Sequence, residues 1–100
     1  MLKIYDKAQW HIDAGEDKVS CVKRIKTVFE FLQEKGMLSD EGKEMIETGI
    51  DSSISLNERM VTAQGKKFLE MFYDDILQVP QKKIKNGLEE KYKIFFGSVK

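Results

Sequence analysis

A stripe of apolar residues, Val19, Val22, Ile25, Val28, Phe29 and Leu32, recurs at spacings of three and four between Asp17 and Lys35. That period fits the turn of an α-helix and not a β-strand, whose side chains alternate at every second residue. The chain must therefore bury one long helical face, and its other elements must supply the opposing apolar surface. Glu16 and Asp17 put negative charge where the helix dipole is positive, and Gly36 after Lys35 is a stop signal. The spacing predicts a helix over about 17–35.

The opposing surface lies downstream. Met45, Ile46 and Ile50 predict a helix over about 40–49, capped by Ser39, with Asp40 and Glu41 in its first turn and Gly49 as its stop. Met37 and Leu38 pack inward at a short connection of the kind that sets two helices side by side. Phe68, Leu69, Phe72, Ile76 and Leu77 predict a helix over about 63–78, capped by Thr62 and ended by Pro80. Gly65 costs its first turn about 1 kcal/mol against alanine, tolerable where a neighbouring backbone comes close. Leu88, Tyr92, Phe95 and Phe96 predict an amphipathic helix over 87–96.

The remaining pieces are short. Ile54 and Leu56 alternate with Ser53, Ser55 and Asn57, which fits a brief strand and a folded-in loop equally. The first residues read as extended, followed by a helix from Lys7 to His11 capped by Asp6 and ended near Gly15. One proline and seven glycines argue against an all-β chain, and no internal repeat or low-complexity tract is expected. The fold class is mainly α: a compact single-domain helical bundle of four to five helices over 1–100. It leaves room for a short strand or hairpin near 53–62, and for segment 81–100 as a peripheral helix.

Several function classes have no support in the residues. Cys21 is the only cysteine, so no internal disulfide forms; a reducing, cytoplasmic setting and a buried thiol are the expectations. No stretch approaches the roughly 20 apolar residues that cross a bilayer. The opening Met1-Leu2-Lys3-Ile4-Tyr5-Asp6 has no apolar core of a secretory signal. One histidine and one cysteine cannot build the usual zinc sets, and Asp51, Asp74 and Asp75 match no calcium-loop spacing, so no metal or cofactor is expected. There is no nucleophile elbow, phosphate loop or dinucleotide fingerprint. His11 beside Trp10 has the chemistry of a general base, but a half-buried histidine bonded to backbone is the simpler reading, and no enzyme activity is expected.

Charge is balanced overall, 17 basic against 17 acidic residues, but unevenly placed. Residues 1–60 hold nine Lys/Arg against twelve Asp/Glu, and residues 61–100 hold eight against five. Helix, turn, helix, weak strand and capped helix is an order loosely compatible with a winged-helix regulator that uses the basic C-terminal segment. Its recognition helix, 40–49, would carry Asp40, Glu41, Glu44 and Glu47 against Lys43 alone and be repelled by phosphate. No arginine follows Pro80 to make bidentate base contacts, so nucleic acid is the lesser alternative. The aromatic set Tyr5, Trp10, Phe68, Phe72, Tyr73 and Phe95 serves either as core filling or as an interface.

The segment Tyr5-Asp6-x-Ala8-x-Trp10-His11 resembles the opening of small uncharacterised bacterial proteins that begin with a Tyr-Asp-x-Ala-x-Trp-His signature. Some of these resemble immunity proteins encoded beside polymorphic or contact-dependent toxins. With the downstream pattern Phe29-x-x-Leu32-x-x-x-Gly36-x-Leu38, the likeness covers about a third of the chain. It implies a protein partner, a cognate toxin domain that the chain binds and neutralises, and no catalytic residues. In that reading Trp10 docks the first short helix by burying its ring. Were the toxin a nuclease with a basic cleft, Glu44, Glu47, Asp51, Asp74 and Asp75 would be the residues that meet it.

Overall fold

A computed structural model describes residues 3–98. Among them the elements run β1 (Ile4–Lys7), α1 (Ala8–Asp13), α2 (Lys18–Glu34), α3 (Asp40–Thr48), β2 (Ser55–Asn57), α4 (Ala63–Leu77) and α5 (Ile84–Ser98). Single 3-10 turns at Glu58–Met60 and Gln81–Lys83 lead towards α4 and α5. The protein is a mainly α domain with one small sheet.

Helix α2 is the centre, packed by α1, α3 and α5, while α4 lies against α5 and β1. Its buried face runs through Cys21, Ile25, Val28, Phe29 and Leu32, and Phe31 also reaches the core. Val19 departs from the stripe read in the sequence: it is 73% exposed, because the 21–25–28–32 ladder is the one that the packing follows. The core's aromatic centre is Phe68, with Phe31, Phe72 and Phe95 at ring centroid distances of 5.8, 5.5 and 5.5 Å. Offset and edge-on pairs at such distances add to what their burial contributes.

The caps expected at Ser39 and Thr62 are formed: each side chain accepts the backbone N–H three residues on, from Gly42 and Gly65 respectively. Gly49 ends α3 with φ of 106°, a conformation that L side chains rarely adopt. Gly65 sits where an added Cβ would lie 2.5 Å from the Met37 carbonyl oxygen, so the close backbone approach that excuses a helical glycine is present.

Of the short strand or hairpin expected near 53–62, the strand is present: β2 pairs antiparallel with β1, matching Asp6 with Leu56 and Lys7 with Ser55, and Tyr5 is the extra residue of a bulge. Two local expectations are corrected. Asp6 does not cap α1; Lys7 holds the cap position without a side-chain bond, and Asp6 turns into the interior at 1% exposure. The last helix starts at Ile84 rather than 87, and Ile84, Leu88 and Phe95 are buried, so α5 is built into the core.

Candidate functional site

The acidic residues singled out above occupy two elements and one turn. Glu44 and Glu47 are exposed on α3, beside exposed Asp40 and Glu41. Asp51 follows in the turn after Gly49, where the Ser53 hydroxyl and backbone N–H hold its carboxyl below the usual carboxylate range. It therefore carries full negative charge while also tying a local turn. Asp74 and Asp75 are exposed near the C-terminal end of α4, where the helix dipole opposes them. Asp75 lies 3.8 Å from Lys91 of α5.

The carboxylates differ in what surrounds them. Glu34 meets Lys85 at 3.0 Å, Glu70 meets Lys3 at 2.9 Å, Glu89 meets Lys35 at 3.0 Å and Glu58 meets Lys66 at 3.4 Å. Among the described residues Asp40, Glu41, Glu44 and Glu47 have no such partner. Lys43 is the one cation that α3 itself carries among these four carboxylates, so its outer face keeps a net negative charge.

The N-terminal motif resolves into a second constellation that sequence reasoning missed. Asp6 accepts the Tyr73 hydroxyl at 2.6 Å, His11 Nε2 lies 2.6 Å from its other oxygen, and the Lys7 backbone N–H donates to it at 2.8 Å. His11 Nδ1 lies 2.9 Å from Glu16, whose carboxylate also faces Arg24 at 3.6 Å. Both ring nitrogens thus face carboxylate oxygens, and both contacts are hydrogen bonds only when both nitrogens carry protons. Burial, then the Asp6 charge, push the Tyr73 phenol well above its ordinary range. The cluster joins β1, α1, α2 and α4. His11 bonds to two side chains rather than to backbone, and Asp6 and Tyr73 are 67 residues apart, a pairing that no local period announces.

Trp10 stands apart from this network. It is 51% exposed, against the expectation that its ring docks α1; Ala8, at 0%, makes that contact instead. Of the remaining aromatics, Phe68, Phe72, Tyr73 and Phe95 are core.

Two hollows accompany these residues. An open groove of about 420 Å³ lies between the start of α2 and the turn after α3, lined by Lys18, Val19, Val22, Asp51 and Ser52. A smaller one of about 220 Å³ lies between β1 and α4, where Asp74, Glu70 and Tyr5 face it. His11 lines neither. Among the described residues no three His, Cys, Asp or Glu side chains gather as metal ligands, and no helix is long and apolar enough to cross a membrane. Cys21 is buried, and burial raises its thiol pKa, which is the opposite of an activated nucleophile.

No family model, curated protein or solved structure matches this chain.

Proposed function

We propose that this protein is a non-catalytic protein-binding module that neutralises a bacterial toxin by covering a basic surface, such as the cleft of a nuclease. One observation carries the reading: α3 gathers Asp40, Glu41, Glu44 and Glu47 on one short exposed helix, none with an ion-pair partner among the described residues, whereas Glu34, Glu58, Glu70 and Glu89 each face a lysine. A face of one sign that the fold leaves unneutralised speeds encounter with an oppositely charged partner and disfavours wrong ones. Asp51 continues this face in sequence, and Asp74 and Asp75 are a second acidic patch on α4. The N-terminal signature's likeness to immunity proteins supplies the class of partner.

The histidine supports a non-catalytic reading as well. A general base needs a lone pair facing a substrate-sized space. His11 is held between Asp6 and Glu16 and borders neither hollow. The basic C-terminal segment lends the nucleic-acid reading no comparable weight, since Lys85 and Lys91 face Glu34 and Asp75, and the segment's apolar side is core.

The test is association kinetics with the toxin domain encoded beside this chain. Replacing Glu44, Glu47, Asp51, Asp74 and Asp75 by their amides or alanine should slow association by tenfold or more and flatten its salt dependence. An unchanged rate and salt slope would remove these residues from the interface.

A further inference from the structure

The capped starts of α3 and α4 are built alike. Aligned twenty-three positions apart, residues 37–47 and 60–70 share Met37/Met60, Gly42/Gly65, Lys43/Lys66 and Glu47/Glu70. Leu38/Val61, Ser39/Thr62, Met45/Phe68 and Ile46/Leu69 are conservative pairs at matching places. We infer that these segments are two copies of one helix-opening module, duplicated within the chain and clasped on each other about a local two-fold axis. This overturns the expectation of a chain without internal repeats.

The backbone contacts are reciprocal, as a two-fold requires, although the cap hydroxyls differ: Thr62 donates to the Met37 carbonyl and Ser39 to the Arg59 carbonyl. Leu38 and Val61 form an antiparallel bridge at the centre. The Ser39 backbone N–H donates to the Met60 carbonyl at 2.9 Å, and the Thr62 N–H donates to the Met37 carbonyl at 2.9 Å. Within each copy the cap oxygen accepts the glycine N–H, at 3.2 Å for Ser39 and Gly42 and 3.1 Å for Thr62 and Gly65. Each glycine in turn faces the other copy's methionine: a Cβ on Gly42 would lie 2.3 Å from the Met60 oxygen, and one on Gly65 would lie 2.5 Å from the Met37 oxygen. This is the contact pattern of an isologous interface, in which residue i meets j and j meets i, met here within one chain.

Met37/Met60, Leu38/Val61, Ser39/Thr62 and Gly42/Gly65 are the matched pairs that the clasp uses, while the shared Lys43/Lys66 and Glu47/Glu70 lie outside it. The methionine gives a carbonyl, the next residue gives the bridge, the hydroxyl caps, and the glycine admits the partner carbonyl. The positions at which the copies differ, Asp40/Ala63, Glu41/Gln64 and Glu44/Lys67, are exposed in both. The module thus leaves these outer positions free to diverge, and Asp40, Glu41 and Glu44 of the acidic face of α3 are a difference between copies rather than a requirement of the fold.

Denaturant unfolding of Gly42→Ala, Gly65→Ala and Gly97→Ala tests the equivalence. Forcing a methyl into a close contact lowers the folding equilibrium constant by roughly 10- to 100-fold, so both clasp variants should fall by similar factors. Gly97, in α5 with open space around its Cβ position, should tolerate alanine without loss. A large effect at one clasp glycine with none at the other would overturn the proposal. Should a variant not fold, the unaltered chain gives the answer by NMR. Couplings across the hydrogen bonds from Ser39 to Met60 and from Thr62 to Met37 should both be seen, and absence of either breaks the two-fold. Asp40→Ala/Glu41→Gln/Glu44→Lys, which writes the second copy's outer face onto the first, should keep the wild-type unfolding midpoint. A midpoint lowered as far as in the glycine variants would show that the clasp depends on the divergent positions and would overturn their separation from it.

Discussion

Asp6 draws three donors to one carboxylate: a phenol, an imidazole and a backbone amide. A buried charge is kept only when its acceptor sites are filled, and removing it strands the donors. Asp6→Ala should therefore cost about 3–5 kcal/mol of unfolding free energy, the range for breaking a buried charged pair. Tyr73→Phe, which strands one oxygen, should cost about 1–3 kcal/mol. Equilibrium urea unfolding measures both. Trp10 illustrates the opposite outcome: half exposed, its change to alanine should stay within about 0.5 kcal/mol. Its fluorescence should be open to a soluble quencher in the folded state. The motif was visible in the sequence, but not which of its residues turn inward, because Asp6 is selected by Tyr73 far along the chain.

The tyrosines also set an alkaline limit. Burial, followed by the Glu70 and Glu58 charges, raises Tyr5 to about 12, and Tyr73 is raised well above 10.0. A raised folded value means that the folded state binds its phenolic protons more tightly than the unfolded chain does. The stability gained is complete below about pH 10 and is lost as pH climbs towards 12 and beyond. Unfolding free energies between pH 9 and 12 should fall steeply in the wild type and less in Tyr73→Phe; identical slopes would contradict the assignment.

At the scale of elements, what was local was legible. Ser39 and Thr62 were recognisable caps because the helix start they serve lies three residues away. Thr62→Ala should cost about 1 kcal/mol in urea unfolding, and more if the Met37 contact adds to it. The strand at Ser55–Asn57 stayed ambiguous since its partner is β1, some fifty residues upstream, and alternation alone names no partner. The duplicated module was present in the letters but short, and its meaning rests on contacts that only the folded chain displays.

Across the whole molecule, charge and core divide the work. The core takes side chains from α1, α2, α4, α5 and β2, with Met45 and Ile46 of α3 half-buried against it, and α5 supplies Ile84, Leu88 and Phe95. Deleting 84–98 should therefore unfold the protein rather than trim a basic tail, with loss of the cooperative thermal transition in circular dichroism. The helical class was legible because periodicity reports which faces must be buried. The acidic character of α3, with Lys43 as its one cation, was legible as composition, but that Lys3, Lys35, Lys66 and Lys85 pair with carboxylates of other elements depends on the fold.

The central claim is that this chain neutralises a toxin by binding it, and co-expression tests that most directly. The toxin domain encoded beside this chain would be produced with and without it, then recovered through a tag on the chain. The account predicts restored growth and a stable one-to-one complex, both weakened when the α3 and α4 carboxylates are neutralised. Continued toxicity with no complex, from a chain shown to be folded, would contradict it.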